Sequence, residues 1–151
     1  MAKTILGIAL LVAAACGGSG SPSTSSGSPA TAVATVAVAN NAKLGQILVD
    51  GSGRTLYLFE KDTSSASTCY GACASFWPPL LTSGTPQAGS GAKASLLGTT
   101  KRTDGTTEVT YAGHPLYYVV TDHTPGDATG QGVNNFGAAW FVVRADGNKV
   151  Q

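Results

Sequence analysis

The chain has 151 residues, of which 11% are charged, with nine Lys and Arg against eight Asp and Glu for a formal net charge of +1. Charge this sparse and balanced supplies no basic stripe to displace counterions from a nucleic-acid backbone and no polybasic run to hold an anionic bilayer. Nucleic acid is therefore not an expected partner, and any hold on a membrane has to come from something other than charge.

The N-terminus supplies that hold. Residues 5–15 are apolar behind Lys3, and Cys16 follows Ala13-Ala14-Ala15 and precedes Gly17-Gly18. An apolar run of about ten residues fits the core of a secretory signal and falls short of the roughly 20 that a spanning helix needs. Residues 1–15 read as a signal peptide and Cys16 as the lipidated first residue of the mature chain. Cleavage at the A-x-A pattern by the ordinary signal peptidase, leaving a bare Cys16, is the alternative. Two or more acyl chains on Cys16 would anchor the protein stably, so the expected address is the extracytoplasmic side of a membrane, at the cell surface or in the periplasm.

Residues 16–43 are assigned to a tether. Residues 17–29 are Ser, Gly and Pro with almost nothing to bury, whereas the Ala/Val/Thr-rich residues 30–42 suit either more tether or an opening strand. A single domain is expected over residues 44–151, large enough to fold alone.

Within that domain, residues 44–49 read as a strand ended by the turn Asp50-Gly51-Ser52-Gly53. Residues 53–62 (GRTLYLFEKD) then align without a gap to residues 113–122 (GHPLYYVVTD), sharing Gly, Leu, Tyr and Asp, and each copy is followed by a tryptophan, Trp77 or Trp140. This is an internal duplication, with repeat one at about 44–80 and repeat two at about 101–144. Leu56 and Leu58 alternate against Tyr57 and Phe59, and Leu116, Tyr118 and Val120 against Tyr117 and Val119, which is the period of strands. Residues 108–111 with the turn after them repeat the hairpin, and residues 139–144 read as a closing strand. The one helical stretch is residues 69–76, with Ser67 or Thr68 to cap it and Pro78-Pro79 to end it. The fold expected is all-β, a small sandwich or barrel built from two repeats with one short helical CxxxC insertion.

These residues resemble a family of bacterial secreted-repeat lipoproteins described by a Y-x-[FWY]-x-x-D motif, whose molecular function is unassigned. Tyr57, Phe59 and Asp62 match the motif outright. The resemblance extends through Cys69-Tyr70-Gly71-Ala72-Cys73, Trp77-Pro78-Pro79-Leu80, Arg102-Thr103-Asp104-Gly105 and Tyr111 to Tyr117, then Gly126-Asp127 and Trp140. The second copy departs from the motif, because Val119 stands where an aromatic is expected and no cysteine pair recurs. Membership implies topology and address and leaves any reaction open.

Once Cys16 is given to the lipid, Cys69 and Cys73 remain as a pair. In an oxidising compartment a CxxxC on one helical turn, with Cα atoms about 6 Å apart, is expected to cross-link. A redox pair or a copper site is the alternative, with His114 and His123, which flank the second motif, as candidate ligands. Haem attachment would need C-x-x-C-H, zinc would need closer ligand spacing, and residues 122–135 fail the D-x-[DN]-x-[DN]-G calcium pattern. Asp62 and Asp122 are expected to accept backbone N–H bonds in the turns after their strands. The tyrosines and tryptophans are expected in the core, with a ligand groove as the alternative. No G-x-S-x-G elbow or triad context is present. The function expected is therefore a non-catalytic envelope lipoprotein that binds an envelope protein or small ligand or serves a structural role. No cofactor is expected, and redox or copper handling by the CxxxC pair is the alternative.

Overall fold

A computed structural model of the protein describes residues 32–151; the expected signal peptide, Cys16 and residues 17–31 of the tether lie outside them. In chain order the strands are β1 (Thr35–Asn41), β2 (Gly45–Asp50) and β3 (Tyr57–Phe59), then, after the short helix α1 (Ala72–Phe76), β4 (Gln87–Ala88). A 3-10 turn (Ala94–Leu96) leads into β5 (Leu97–Lys101), β6 (Thr107–Tyr111), β7 (His114–Pro115), β8 (Asn134–Asn135) and β9 (Ala138–Val142). They form three small sheets, β2-β1-β4, β3-β9-β8 and β5-β6-β7. The architecture is all-β and two-repeat, as the alternation and the duplicated motif imply.

Each repeat contributes a hairpin that the other repeat completes. In repeat one, the Leu56 N–H donates to the Leu48 C=O, and the Leu48 N–H donates to the C=O of Val143, which belongs to repeat two. In repeat two, Leu116 donates to Val109, and Val109 donates to Leu80 of repeat one. The residues after each tryptophan thus lie against the opposite hairpin, and the two halves meet where Tyr57 and Tyr117 exchange N–H···O=C bonds of 2.9 Å in both directions. Backbone groups at the centre of one half are satisfied only by the other, which a buried ladder requires.

The core follows from β3 and its counterpart being covered on both faces. Tyr57, Phe59, Tyr117 and Val119 point into one apolar cluster with Ile47, Val49, both tryptophans and the two cysteines. Leu56, Leu58 and Leu116 point into a second, with Val36, Leu48, Leu80, Val109, Tyr111 and Val143. The alternation therefore separates two buried faces rather than a buried and a solvated one. Val120, expected to continue it, is exposed instead, because the strand has already turned away.

Two boundaries differ from those expected. The tether does not reach residue 43: β1 pairs antiparallel with β2 in the register Val38↔Leu48 and takes β4 as a parallel neighbour on its other edge. Its Val36 is fully buried, and this contact is what converts an Ala/Val/Thr-rich stretch into a strand. The helix spans Ala72–Phe76 rather than 69–76, and neither Ser67 nor Thr68 caps it. Gly71, at φ 57°, takes a left-handed backbone that a helix cannot continue through, while Ser67 and Thr68 bond elsewhere. The helix ends at Trp77, ahead of Pro78-Pro79.

Because each hairpin is closed by the other repeat, residues 32–91 expressed alone are expected to show no cooperative unfolding transition, whereas residues 32–151 show one. Circular dichroism with urea titration checks this.

Candidate functional site

The duplicated Tyr and Asp meet across the repeats, not within them. The Tyr57 hydroxyl donates to Asp122 Oδ2 and the Tyr117 hydroxyl to Asp62 Oδ2, each at 2.6 Å. The other carboxylate oxygen is used locally. Asp62 Oδ1 accepts the Thr68 N–H at 2.8 Å and hydroxyl at 2.6 Å, and Asp122 Oδ1 accepts the Thr129 N–H at 2.9 Å and hydroxyl at 2.7 Å. Both aspartates sit in turns, with N–H donated to Phe59 and Val119 C=O respectively. The backbone N–H that each carboxylate accepts, however, comes from further along the chain than the turn expected from the sequence. Burial pushes the pKa of both phenols well above the ordinary tyrosine range, and the acceptor carboxylates push in the same direction.

Around these bonds the aromatics form a column. Trp77 and Trp140 stack with ring centroids 4.0 Å apart and planes 2° from parallel, and Phe59 stacks on the outer face of Trp140 at 3.9 Å. Tyr57 meets Trp77 edge-on at 5.4 Å and Tyr117 meets Trp140 edge-on at 5.1 Å. Asn135, the last residue of β8, takes both indole N–H groups, from Trp77 on its side-chain oxygen and from Trp140 on its backbone carbonyl. Val119, the departure from the motif, occupies the place of Phe59 in repeat two. Gly130 is required beside the column, since a Cβ there would lie 2.6 Å from the Trp77 ring.

Cys69 and Cys73 are joined by a disulfide with Cα atoms 5.2 Å apart. They are 0% and 7% exposed, packed in the same cluster as the tryptophans. The bridge does not span a helical turn as expected: Cys69 precedes Gly71, and only Cys73 is helical. Closing so short a loop removes roughly 2 kcal/mol of unfolded-chain entropy, so the bridge chiefly fixes a bend that places Trp77.

Sequence reasoning missed the residues that hold this insertion to repeat two. The Arg102 guanidinium donates to Ser67 Oγ at 2.7 Å, to the Cys69 carbonyl at 2.7 Å and to Glu108 Oε2 at 2.6 Å, and lies over the Tyr70 ring at 4.4 Å. Ser67 in turn bonds the Tyr117 hydroxyl at 2.7 Å, so the ion pair joins the Tyr117–Asp62 contact. Glu108 is fully buried, and its Oε1 has no partner among the described residues. The signal was in the duplication: hydrogen bond for hydrogen bond, Glu108 stands where repeat one has the core residue Ile47, and an acid at an apolar strand position needs a partner.

The two histidines do not converge with the disulfide. His114, in β7, borders a small cleft with Asp62, Glu60 and Lys149, whereas His123 is exposed and contributes its backbone N–H to Asp127 Oδ2. Among the described residues no group of three or more His, Cys, Asp or Glu is placed to hold a metal ion. In the loop after Asp122, the Asp127 carboxylate is engaged by the N–H groups of His123 and Thr124 and its carbonyl by the Thr55 hydroxyl.

A disulfide-braced pair of β repeats locked by crossed Tyr–Asp bonds defines the class. The chain belongs to the Lipoprotein_15 family, a secreted repeat of unknown function, whose profile matches residues 38–81 and 98–144. The match starts ahead of both expected repeat boundaries, within β1 and β5. No curated protein and no solved structure matches the chain. Family membership supports export and fits an extracellular protein without catalysis. Among the described residues no helix is long and apolar enough to cross a membrane.

Two outcomes test the site. Tyr117→Phe takes a donor from the buried Asp62 carboxylate and is expected to cost about 1–3 kcal/mol in urea unfolding, with a like cost for Tyr57→Phe at Asp122. Burial pushes the Glu108 carboxyl up to about 7, with Arg102 pulling it partly back down. Between about pH 4.5 and 7 the folded chain therefore keeps a proton that the unfolded chain releases. Its contribution to stability is full below about pH 4.5 and is lost as the pH rises to about 7, a change of roughly 3 kcal/mol. Glu108→Gln is expected to flatten this part of the pH–stability profile.

Proposed function

We propose that the chain is an exported lipoprotein, held to the extracytoplasmic face of a membrane by acyl chains on Cys16, whose β domain acts by binding or as a structural component without catalysis. The observation that carries the second half of this reading is that the reactive side chains of the motifs are engaged with one another. Each tyrosine bonds the aspartate of the other repeat, Arg102 is bonded to Ser67, Cys69 and Glu108, and the sulfurs are covered. A nucleophile or general base has to reach a substrate, whereas these groups are spent on one another.

The same burial weighs against redox or copper handling by Cys69 and Cys73, because thiol–disulfide exchange requires an attacking thiolate to approach a sulfur atom. What the domain does offer solvent is clefts with mixed polar and apolar walls. The larger, of about 730 Å³, lies between the β1–β2 turn and the loop after Asp122 and presents Asn40, Lys43, Asp127, Thr129 and Gln131. An amide, an ammonium and a carboxylate set among Ala42, Leu44, Pro125 and Ala128 suit a ligand or partner loop that carries both polar and apolar groups.

Anchoring is the part most directly checked. The mature protein is expected to begin at an acylated Cys16 by intact mass and to fractionate with membranes, and Cys16→Ala is expected to release it into the soluble fraction. A bare N-terminal cysteine would remove the anchor from this reading while leaving export in place.

A further inference from the structure

The two hairpins are counterparts, but only one of them has its outer edge covered. Val38 faces Leu48 in the first and Thr99 faces Val109 in the second, so Val36, Ala37 and Val38 of β1 correspond to Leu97, Gly98 and Thr99 of β5. On β1 the chain closes the edge itself: β4 lies parallel to it, the Gly89 N–H donates to the Val36 C=O at 2.7 Å, and the Val38 N–H donates to the Ser90 C=O at 2.8 Å. On β5, Val109 spends its N–H on Leu80 and its C=O on Leu116, so the backbone groups of Thr99 opposite it point away from β6. Among the described residues nothing pairs with them, and Thr99 is exposed. The segment after Arg144, which corresponds to β4 by the duplication, folds back instead: the Arg144 N–H donates to the Asn148 C=O, and the Val150 N–H to the Val142 C=O.

We propose that the β5 edge takes an extended segment of a partner protein, uncharged and built from small residues, laid parallel to β5 as Gln87-Ala88-Gly89-Ser90 lies on β1. The occupant of the equivalent edge defines this chemistry, because the duplication presents the same ladder of backbone groups in both places. The cleft beside the open edge has a volume of about 460 Å³ and is lined by residues 83–88 as well as by Leu97, Gly98 and Thr99, without one charged residue. A charged segment entering it would be desolvated without a counter-ion. The β5 edge is also the more permissive of the two. A Cβ at Gly89 would lie 2.9 Å from the Ala37 Cβ, and the counterpart of Ala37 is Gly98, so the nearest atom that crowds Gly89 has no equivalent on β5 and a methyl group is admitted there. In strand addition of this kind the backbone bonds hold the segment and the room beside each side chain selects it. The inference deepens the binding half of the proposed function and does not depend on lipid at Cys16.

The test supplies such a segment in cis. A second copy of residues 85–91 (TPQAGSG) is appended after Gln151 of the chain that begins at residue 16 and carries Cys16→Ala, through a Gly/Ser linker of about 20 residues that holds it at roughly millimolar effective concentration. The control carries the same linker and an equal length of alternating Pro and Gly, since proline has no N–H to place in a ladder. The expected result is amide hydrogen exchange at Thr99 at least about tenfold slower with the copied segment than in the control, independent of protein concentration, with equal protection at Val38 showing that both chains are folded. Equal exchange at Thr99 in the two chains would overturn the proposal while leaving binding elsewhere on the domain intact. Thr99 already protected in the control would also overturn it, assigning the edge to the chain itself or, where protection grows with concentration, to a second copy.

Discussion

The structure depends on the crossing of the two motifs. A tyrosine from each repeat donates a hydroxyl hydrogen bond to a carboxylate in the other, and the same two tyrosines pair backbone to backbone between those bonds. Because the phenols and carboxylates are buried, their hydrogen bonds are made in surroundings where leaving any of them unmade is expensive. The stacked indoles sit against this cross and are positioned by it, with Asn135 fixing both N–H groups from outside.

From that cross follow the other features of the site. Trp77 has to be delivered to the stack by a chain that has just left β3, and the disulfide and Gly71 supply the bend. The bend carries Ser67 and the Cys69 carbonyl to the far side of Tyr117, where Arg102 collects both. Arg102 is buried in doing so and is met by the carboxyl of Glu108, at a position that is isoleucine in the other half, and by Asp104. The charge pair is thus a consequence of accommodating the insertion, and its unmatched oxygen marks the point at which the accommodation is incomplete.

Much of this was legible in the chain and some was not, for reasons that differ by residue. The alternation around Tyr57 and Tyr117, the Asp-Gly turn and the spacing to Trp77 and Trp140 are local, and they announced strands, hairpins and a duplication directly. The cysteine pair announced its bridge once Cys16 was set aside. What local pattern could not carry was pairing between distant residues: that Tyr57 would choose Asp122 over Asp62 depends on the two halves exchanging their final strands. The start of β1 was hidden because its alanines and threonines become strand only against β2 and β4. The helix began late because Gly71 breaks it and because Asp62 and Tyr117, the latter far away in sequence, hold the residues that would have capped it.

The twofold relation ends at the core. One flank carries the cysteine bend held by a guanidinium, whereas the other carries a longer glycine-rich excursion held by Asp122 and Asp127, and the motif position that is Phe59 in one repeat is Val119 in the other. A molecule settling on the outside of this domain meets two unlike flanks rather than a matched pair. Complexes formed there should have a stoichiometry of one and a single polarity, despite the mirrored phrase inside.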